Sequence, residues 1–162
     1  MAISETAAQD LERVIAQYGT MLFRVCMLTL ENRMDAEDAV QETLFRYLYR
    51  APAFRDAEHE KAWLLRVAVN LSRDVLRARK RRVKYERESA QTVSPADDGG
   101  PLLDALFTLP EKFKTVLFLH YVEEYRVSEV ASVLGISASA VKMRLQKGRK
   151  LLEEAYRKGN GA

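Results

Sequence analysis

A chain of 162 residues carrying a formal charge of +3 has room for one ordinary domain or two small ones. Its lone cysteine, Cys26, excludes an internal disulfide and a cysteine-based zinc site and fits a reducing cytoplasm. No apolar run approaches the length of a membrane span, and residues 1–11 carry Glu5 and Asp10 without an apolar core, so neither a transmembrane helix nor a signal peptide is expected.

Helical periodicity runs through almost all of residues 7–87. Leu11, Val14, Ile15, Tyr18, Leu22 and Val25 form one apolar stripe. Asp35 stands where a cap would start a second helix through Val40, Leu44, Tyr47 and Leu48, and Ala51-Pro52 ends it. This helix is acidic at its start, with Asp35, Glu37, Asp38 and Glu42 and no base from Met34 to Phe45. A loop over 53–60 precedes a long helix from about Lys61 to Arg82. Leu64, Leu65, Val67, Ala68, Val69, Leu71, Val75 and Leu76 make its apolar face, and Arg66, Asn70, Arg73 and Arg77 lie opposite with Trp63. Arg77, Arg79, Lys80, Arg81, Arg82, Lys84 and Arg87, against Glu86, form a first basic cluster.

Residues 88–101 (ESAQTVSPADDGGP) are polar, acidic and rich in turn formers, which reads as a flexible connector. The connector is taken as 88–107 and a second domain as 108–158. Leu109-Pro110-Glu111 is a helix start, continued by Phe113, Val116, Leu117 and His120. Two shorter helices then flank Gly135. Gly135 suits a turn with positive φ, Ser137 suits an N-cap, and Ala131 is small where two helices must approach. In the second of these helices Ala138, Val141, Leu145, Gly148 and Leu152 fall on one side, and Ser139, Lys142, Met143, Gln146, Lys147 and Lys150 on the other. Five bases and no acid occur between Lys142 and Lys150. No strand is expected, so the fold class is all-α with two small helical domains.

The Gly135 pair has the layout of a helix-turn-helix, whose second helix enters a DNA major groove. Its outer face offers cations for phosphates, and Gln146, Lys142 and Lys147 for base edges. A solvated amphipathic helix is the plainer alternative. On the long helix, a tryptophan and an asparagine among arginines fit stacking on unpaired bases and hydrogen bonding to a base edge. Trp63 folded under the 53–60 loop as core is an equal alternative. The acidic helix is either a solvated face or a docking face for a basic partner. It lacks the glycine and terminal glutamate of a calcium loop, His59 and His120 are isolated, and no nucleophile set, phosphate loop or metal spacing occurs. The expectation is a binding protein rather than an enzyme, with no cofactor and no metal.

Together these motifs resemble the extracytoplasmic-function (group 4) sigma factors of bacterial RNA polymerase. DAEDAVQET from Asp35 to Thr43 resembles region 2.2 of that family. WLLRVAVN from Trp63 to Asn70, followed by Asp74, Arg77 and Arg81, resembles regions 2.3 and 2.4. Leu109-Pro110-Glu111 through Tyr121, Glu129-Val130-Ala131 and Leu134-Gly135-Ile136-Ser137 resemble region 4. The resemblance implies a region 2 domain over 7–87 and a region 4 domain over 108–158. It implies docking of Asp35, Asp38, Gln41 and Glu42 on the clamp helices of the polymerase β′ subunit. It implies capture of a flipped −10 base by Phe54, its loop, Trp63 and Asn70, with Arg66, Arg73, Arg77, Arg81 and Arg82 on the strand. It also implies −35 reading by Ser139, Lys142, Met143, Arg144, Gln146, Lys147, Arg149 and Lys150, and seating of the second domain on the β flap. The connector would thread toward the RNA exit path, and an anti-sigma factor would hold the chain in check. Departures from the family pattern are Ser139-Ala140 for Gly-Thr, Met143 for Ser, Lys147-Gly148 for Arg-Ala, and Lys114 near a common Arg; they bear on the −35 sequence. The alternatives are a stand-alone helix-turn-helix regulator using only residues 127–150, and a protein-interaction adaptor whose basic faces meet acidic proteins.

Overall fold

The computed structural model describes residues 2–83 and 100–159, which fall in two compact helical units. Residues 88–99 of the expected connector, and Lys84 and Arg87 of the first basic cluster, lie outside the described residues. Every regular element among the described residues is helical.

The first unit is a bundle of α1 (Glu5–Leu30), α2 (Arg33–Arg50) and α3 (Ala57–Val83), each packed on the other two. The Ser4 hydroxyl caps α1 by accepting from the Ala7 amide at 3.1 Å. Glu31 ends it in the left-handed region at φ 51°, and its amide donates to the Met27 carbonyl. Asn32, not Asp35, caps α2: its side chain accepts from the Asp35 amide at 2.9 Å. Asp35 sits in the first turn instead, where a carboxylate meets the positive end of the helix dipole. Ala51-Pro52 ends α2 at Arg50 as expected. The long helix begins earlier than the sequence reading placed it, because Asp56 caps α3 by accepting from the His59 amide at 2.8 Å.

The core joins Val14, Leu22, Val25 and Leu28 of α1 to Leu64, Leu65, Ala68 and Val69 of α3. Burying such side chains is worth about 1.5–3 kcal/mol each. The α2 helix buries only small or amphipathic groups, namely Ala36, Ala39, Thr43 and Tyr47. Small residues let it lie close to its neighbours, and the Thr43 hydroxyl donates to the Ala39 carbonyl at 2.8 Å. Ile15, placed in the apolar stripe by periodicity, is exposed.

In the second unit α4 (Gly100–Phe107), α5 (Glu111–Leu117) and α6 (Val127–Leu134) all pack against α7 (Ala138–Gly159). Residues 100–107 are therefore helix and core, not connector: Ala105 and Leu106 are buried. Proline at position 101 is at home in a first helical turn. Pro110 is the N-cap of α5, and α5 runs on into a π-helical turn, Phe118–Val122. Lys114 is buried, with its ammonium 3.4 Å from the Phe107 carbonyl and 5.7 Å from the Phe107 ring centre. This residue therefore links α4 to α5. At Gly148 an added Cβ would lie 3.1 Å from Leu117 Cδ1, so the glycine permits the close approach of α5 and α7.

Candidate nucleic-acid interface

The α6–α7 pair is closed by Gly135 at φ 68°, with the Gly135 and Ile136 amides donating to the Ala131 carbonyl at 2.9 and 3.1 Å. Ser137 caps α7, its hydroxyl accepting from the Ala140 amide at 3.0 Å. Val141, Leu145 and Gly148 face inward, and Leu152 is half-buried. Ala138, expected with them, is exposed. Opposite, Ser139, Lys142, Met143, Gln146, Lys147 and Lys150 are exposed, Met143 by 70%. An unbranched apolar side chain so far into water is a candidate for contact with a thymine methyl. Two residues assigned to this surface differ from the rest of it. Arg144 is half-buried, and Arg149 donates to the Tyr121 hydroxyl on the π-helical turn at 2.8 Å. The Lys147 ammonium lies 5.6 Å from the Phe113 ring centre, which leaves its outer side open to an anion.

On α3, helical phase gathers Trp63, Arg66, Asn70, Arg73, Arg77 and Arg81 into one stripe. Arg66, Asn70, Arg77 and Arg81 are exposed and Arg73 is half-buried. The same phase carries Arg82 about 140° round the helix, away from the others. Asp74 interrupts the stripe, accepting from Arg77 at 3.4 Å. Arg79, counted in the basic cluster, points inward: it donates to the Leu30 carbonyl at 2.7 Å and pairs with Asp35. Trp63 is half-buried beside the loop over 51–56. Its ring centre is 5.8 Å from that of Phe54 and 6.3 Å from that of Tyr47, both nearly edge-on. Phe54 in turn stacks on Tyr47 at 6.0 Å and meets His59 at 5.3 Å. Trp63 thus has one side anchored in an aromatic cluster and the other beside the basic stripe.

On α2, Asp38, Gln41 and Glu42 are exposed on one face, while Asp35 is withdrawn into its pair with Arg79. Met34, Phe45 and Tyr49 share that face by helical phase and are also exposed. The Phe45 and Tyr49 rings stand 5.0 Å apart over an open groove of about 400 Å³. The sequence reading named the acids of this face and passed over its aromatics, although the spacing 34, 38, 41, 45, 49 was a legible signal.

Sequence reasoning missed a polar network beneath the loop. Glu60 is buried and is gripped by Arg13 through two hydrogen bonds, at 3.1 and 2.8 Å. The Tyr47 hydroxyl lies 2.9 Å from Glu60 and 2.7 Å from Asp10, and Arg13 also pairs with Asp10 at 3.0 Å. Hydrogen bonding from Tyr47, then Arg13, outweighs burial and holds the Asp10 carboxyl below its ordinary value. Burial, and then the two carboxylates, push the Tyr47 phenol well above its own. Ionising it would set a third negative charge against two. The pairings between helices span 13 to 47 residues, beyond the reach of a local sequence signal.

Among the described residues no group of three His, Cys, Asp or Glu side chains is placed to hold a metal ion, and no helix is long and apolar enough to cross a membrane. The pattern described as Sigma-70 region 2 matches residues 14–82, and that described as Sigma-70, region 4 matches residues 100–152. The chain is 27% identical to the ECF RNA polymerase sigma factor SigW of Bacillus subtilis (strain 168), over 89% of this chain and 87% of the relative. It is also 27% identical to the RNA polymerase sigma factor SigV of the same organism, over 94% of each. Of solved structures, the sigma factor RpoE in complex with the anti-sigma factor NepR from Bartonella quintana is similar with a TM-score of 0.77. That match has 21% identity and covers 92% of this chain and 98% of that one, a likeness of fold.

Proposed function

Because the chain belongs to the sigma-70 family, as one of its extracytoplasmic-function sigma factors, we propose that it binds core RNA polymerase, reads −35 and −10 elements and opens the −10 region of a specific set of promoters. The observation that carries this reading is the pairing of two unlike surfaces in one small bundle. One is the acidic and aromatic outer face of α2, with Asp38, Gln41, Glu42, Phe45 and Tyr49. The other is the basic stripe of α3 beside Trp63 and Phe54. The first suits a protein partner, here the clamp helices of β′, because exposed aromatics flanked by acids are poor ligands for a polyanion. The second suits an opened strand: arginines meet phosphates, Trp63 offers a face to an unstacked base, and Asn70 offers both a donor and an acceptor.

The second unit adds the duplex contact. Ser139, Lys142, Met143, Gln146, Lys147 and Lys150 form its groove-facing row, and Arg149, steadied by Tyr121, meets a phosphate at the side. The same unit rests on the β flap. Melting proceeds without bond chemistry on the base, so capture of the strand offsets the cost of unstacking. The protein acts in the cytoplasm, where core polymerase works, and an anti-sigma factor restrains it by covering these faces. In vitro transcription with core polymerase from the source organism tests the reading. The expected result is a new set of start sites on a genomic template, lost in Trp63→Ala. Unchanged start sites, together with tight duplex binding in the absence of polymerase, would instead identify a stand-alone regulator.

A further inference from the structure

We infer that Tyr47 is a positioning residue for strand capture, holding Phe54 and Trp63 in place through the Asp10–Arg13–Glu60 network; this rests on the base-capture reading above. Phe54 lies in the short segment between α2 and α3, and Trp63 lies near the start of α3. Phe54 is not held by dense packing on the α1 side. An open pocket of about 440 Å³ lies there, bounded by Asp10, Arg13, Tyr47, Pro52, Phe54 and Glu60. The ring of Tyr47, buried to 8% exposure, is a neighbour the two rings share, its centre 6.0 Å from that of Phe54 and 6.3 Å from that of Trp63.

That ring is itself fixed from its far end. Its hydroxyl sits within 2.9 Å of carboxylates from two different helices, Asp10 of α1 and Glu60 of α3, while Arg13 locks the second carboxylate with two bonds. A phenylalanine would fill the same space without the desolvation cost of this polar set. Buried ionic groups are weak sources of stability but can define a single geometry. Here the geometry they define belongs to the two aromatic rings proposed to meet an unpaired base.

The full-length chain provides its own probe, because Trp63 is its one tryptophan. Affinity is measured for a random single strand of about ten nucleotides and for an abasic strand of equal length, within the range of single-strand sites. The ratio of the two affinities isolates base capture from phosphate binding. A wild-type ratio near one, or a ratio unmoved in Trp63→Ala, overturns the base-capture reading itself. Given a wild-type ratio above one that Trp63→Ala abolishes, Tyr47→Phe is expected to lower it roughly threefold to tenfold. It is also expected to raise acrylamide quenching of Trp63 while leaving abasic-strand binding unchanged. Glu60→Gln, which keeps an acceptor but loosens Arg13, is expected to move both readouts the same way by less, and it decides alone if Tyr47→Phe does not fold. A merely structural network would lower the melting temperature only. Wild-type ratio and wild-type quenching in the folded variants overturn the positioning role.

Discussion

Gly135 sits at φ 68°, with open space where a Cβ would go, so its requirement is conformational rather than steric. Gly135→Ala is expected to destabilise the second unit by about 1 kcal/mol, read as an earlier urea midpoint of its transition. Gly148 is the opposite case. Its backbone is helical, but an added Cβ meets Leu117 at 3.1 Å. In Gly148→Ala the gain in helix propensity, about 1 kcal/mol, is set against a shift of a side-chain end, so stability should stay within about 1 kcal/mol of wild type. Gly148→Val asks for more room between α5 and α7 and should cost about 2–3 kcal/mol. Cys26 is buried, and burial pushes its thiol up to about 11. A folded-state value above the unfolded one means the folded protein holds the proton more tightly. Its contribution is therefore complete below about pH 8.5 and lost as the pH rises toward 11, a decline of about 2–3 kcal/mol by urea titration. Tyr47, raised from the ordinary phenol value of about 10, adds a further decline above that pH.

Among the elements, α1 and α3 are coupled by one buried carboxylate. Glu60 is nearly enclosed while Arg13 is half in water, with side-chain exposures of 9% and 45%. Arg13→Ala leaves Glu60 buried without its cation and should cost about 2 kcal/mol, less than a fully buried pair because water already screens the arginine. On α7 the exposed cations are expected to act through phosphates. Lys150→Ala should reduce the slope of log affinity against log salt by about 1 for duplex DNA, with a similar loss for any sequence. Met143→Ala should instead change sequence preference with little change in that slope. The helices also show how far periodicity reaches. It sorted α7 correctly at Val141, Leu145 and Gly148, and it misplaced Ile15 and Ala138, because an apolar residue at the right phase is buried only where a neighbouring helix covers it.

At the scale of the whole molecule, binding to polymerase and to promoter DNA are assigned to different faces, so they should be separable by mutation. Phe45→Ala combined with Glu42→Ala is expected to weaken assembly with core polymerase at least tenfold, measured by holoenzyme titration, while the helical circular-dichroism signal stays unchanged. Trp63→Ala should leave assembly intact and abolish opening. Much of the architecture was written in local signals. The all-α class, the break at Ala51-Pro52, the Gly135 turn and the Ser137 cap each depend on residues within four positions of one another. The same holds for the exposed row of α7 and the stripe of α3, since helical phase is a property of spacing alone.

What the fold decided lies beyond that range. Asp35 stands in the sequence as one more acid on a docking helix, yet it is drawn to Arg79, 44 residues on. Arg149 reads as one cation in a row, yet Tyr121 holds it from 28 residues away. Residues 100–107 read as the end of a connector until α7 supplies the surface that buries Ala105 and Leu106. Tyr47 reads as one apolar position in a helical repeat until Asp10, Arg13 and Glu60 converge on its hydroxyl. The sequence by itself determined which segments are helical and which side of each is apolar, because hydrogen bonding and side-chain phase in a helix close within one turn. Which charged groups meet each other instead of solvent or a partner was decided only by tertiary structure. A buried pairing is set by which helices pack together, and no local rule carries that across tens of residues.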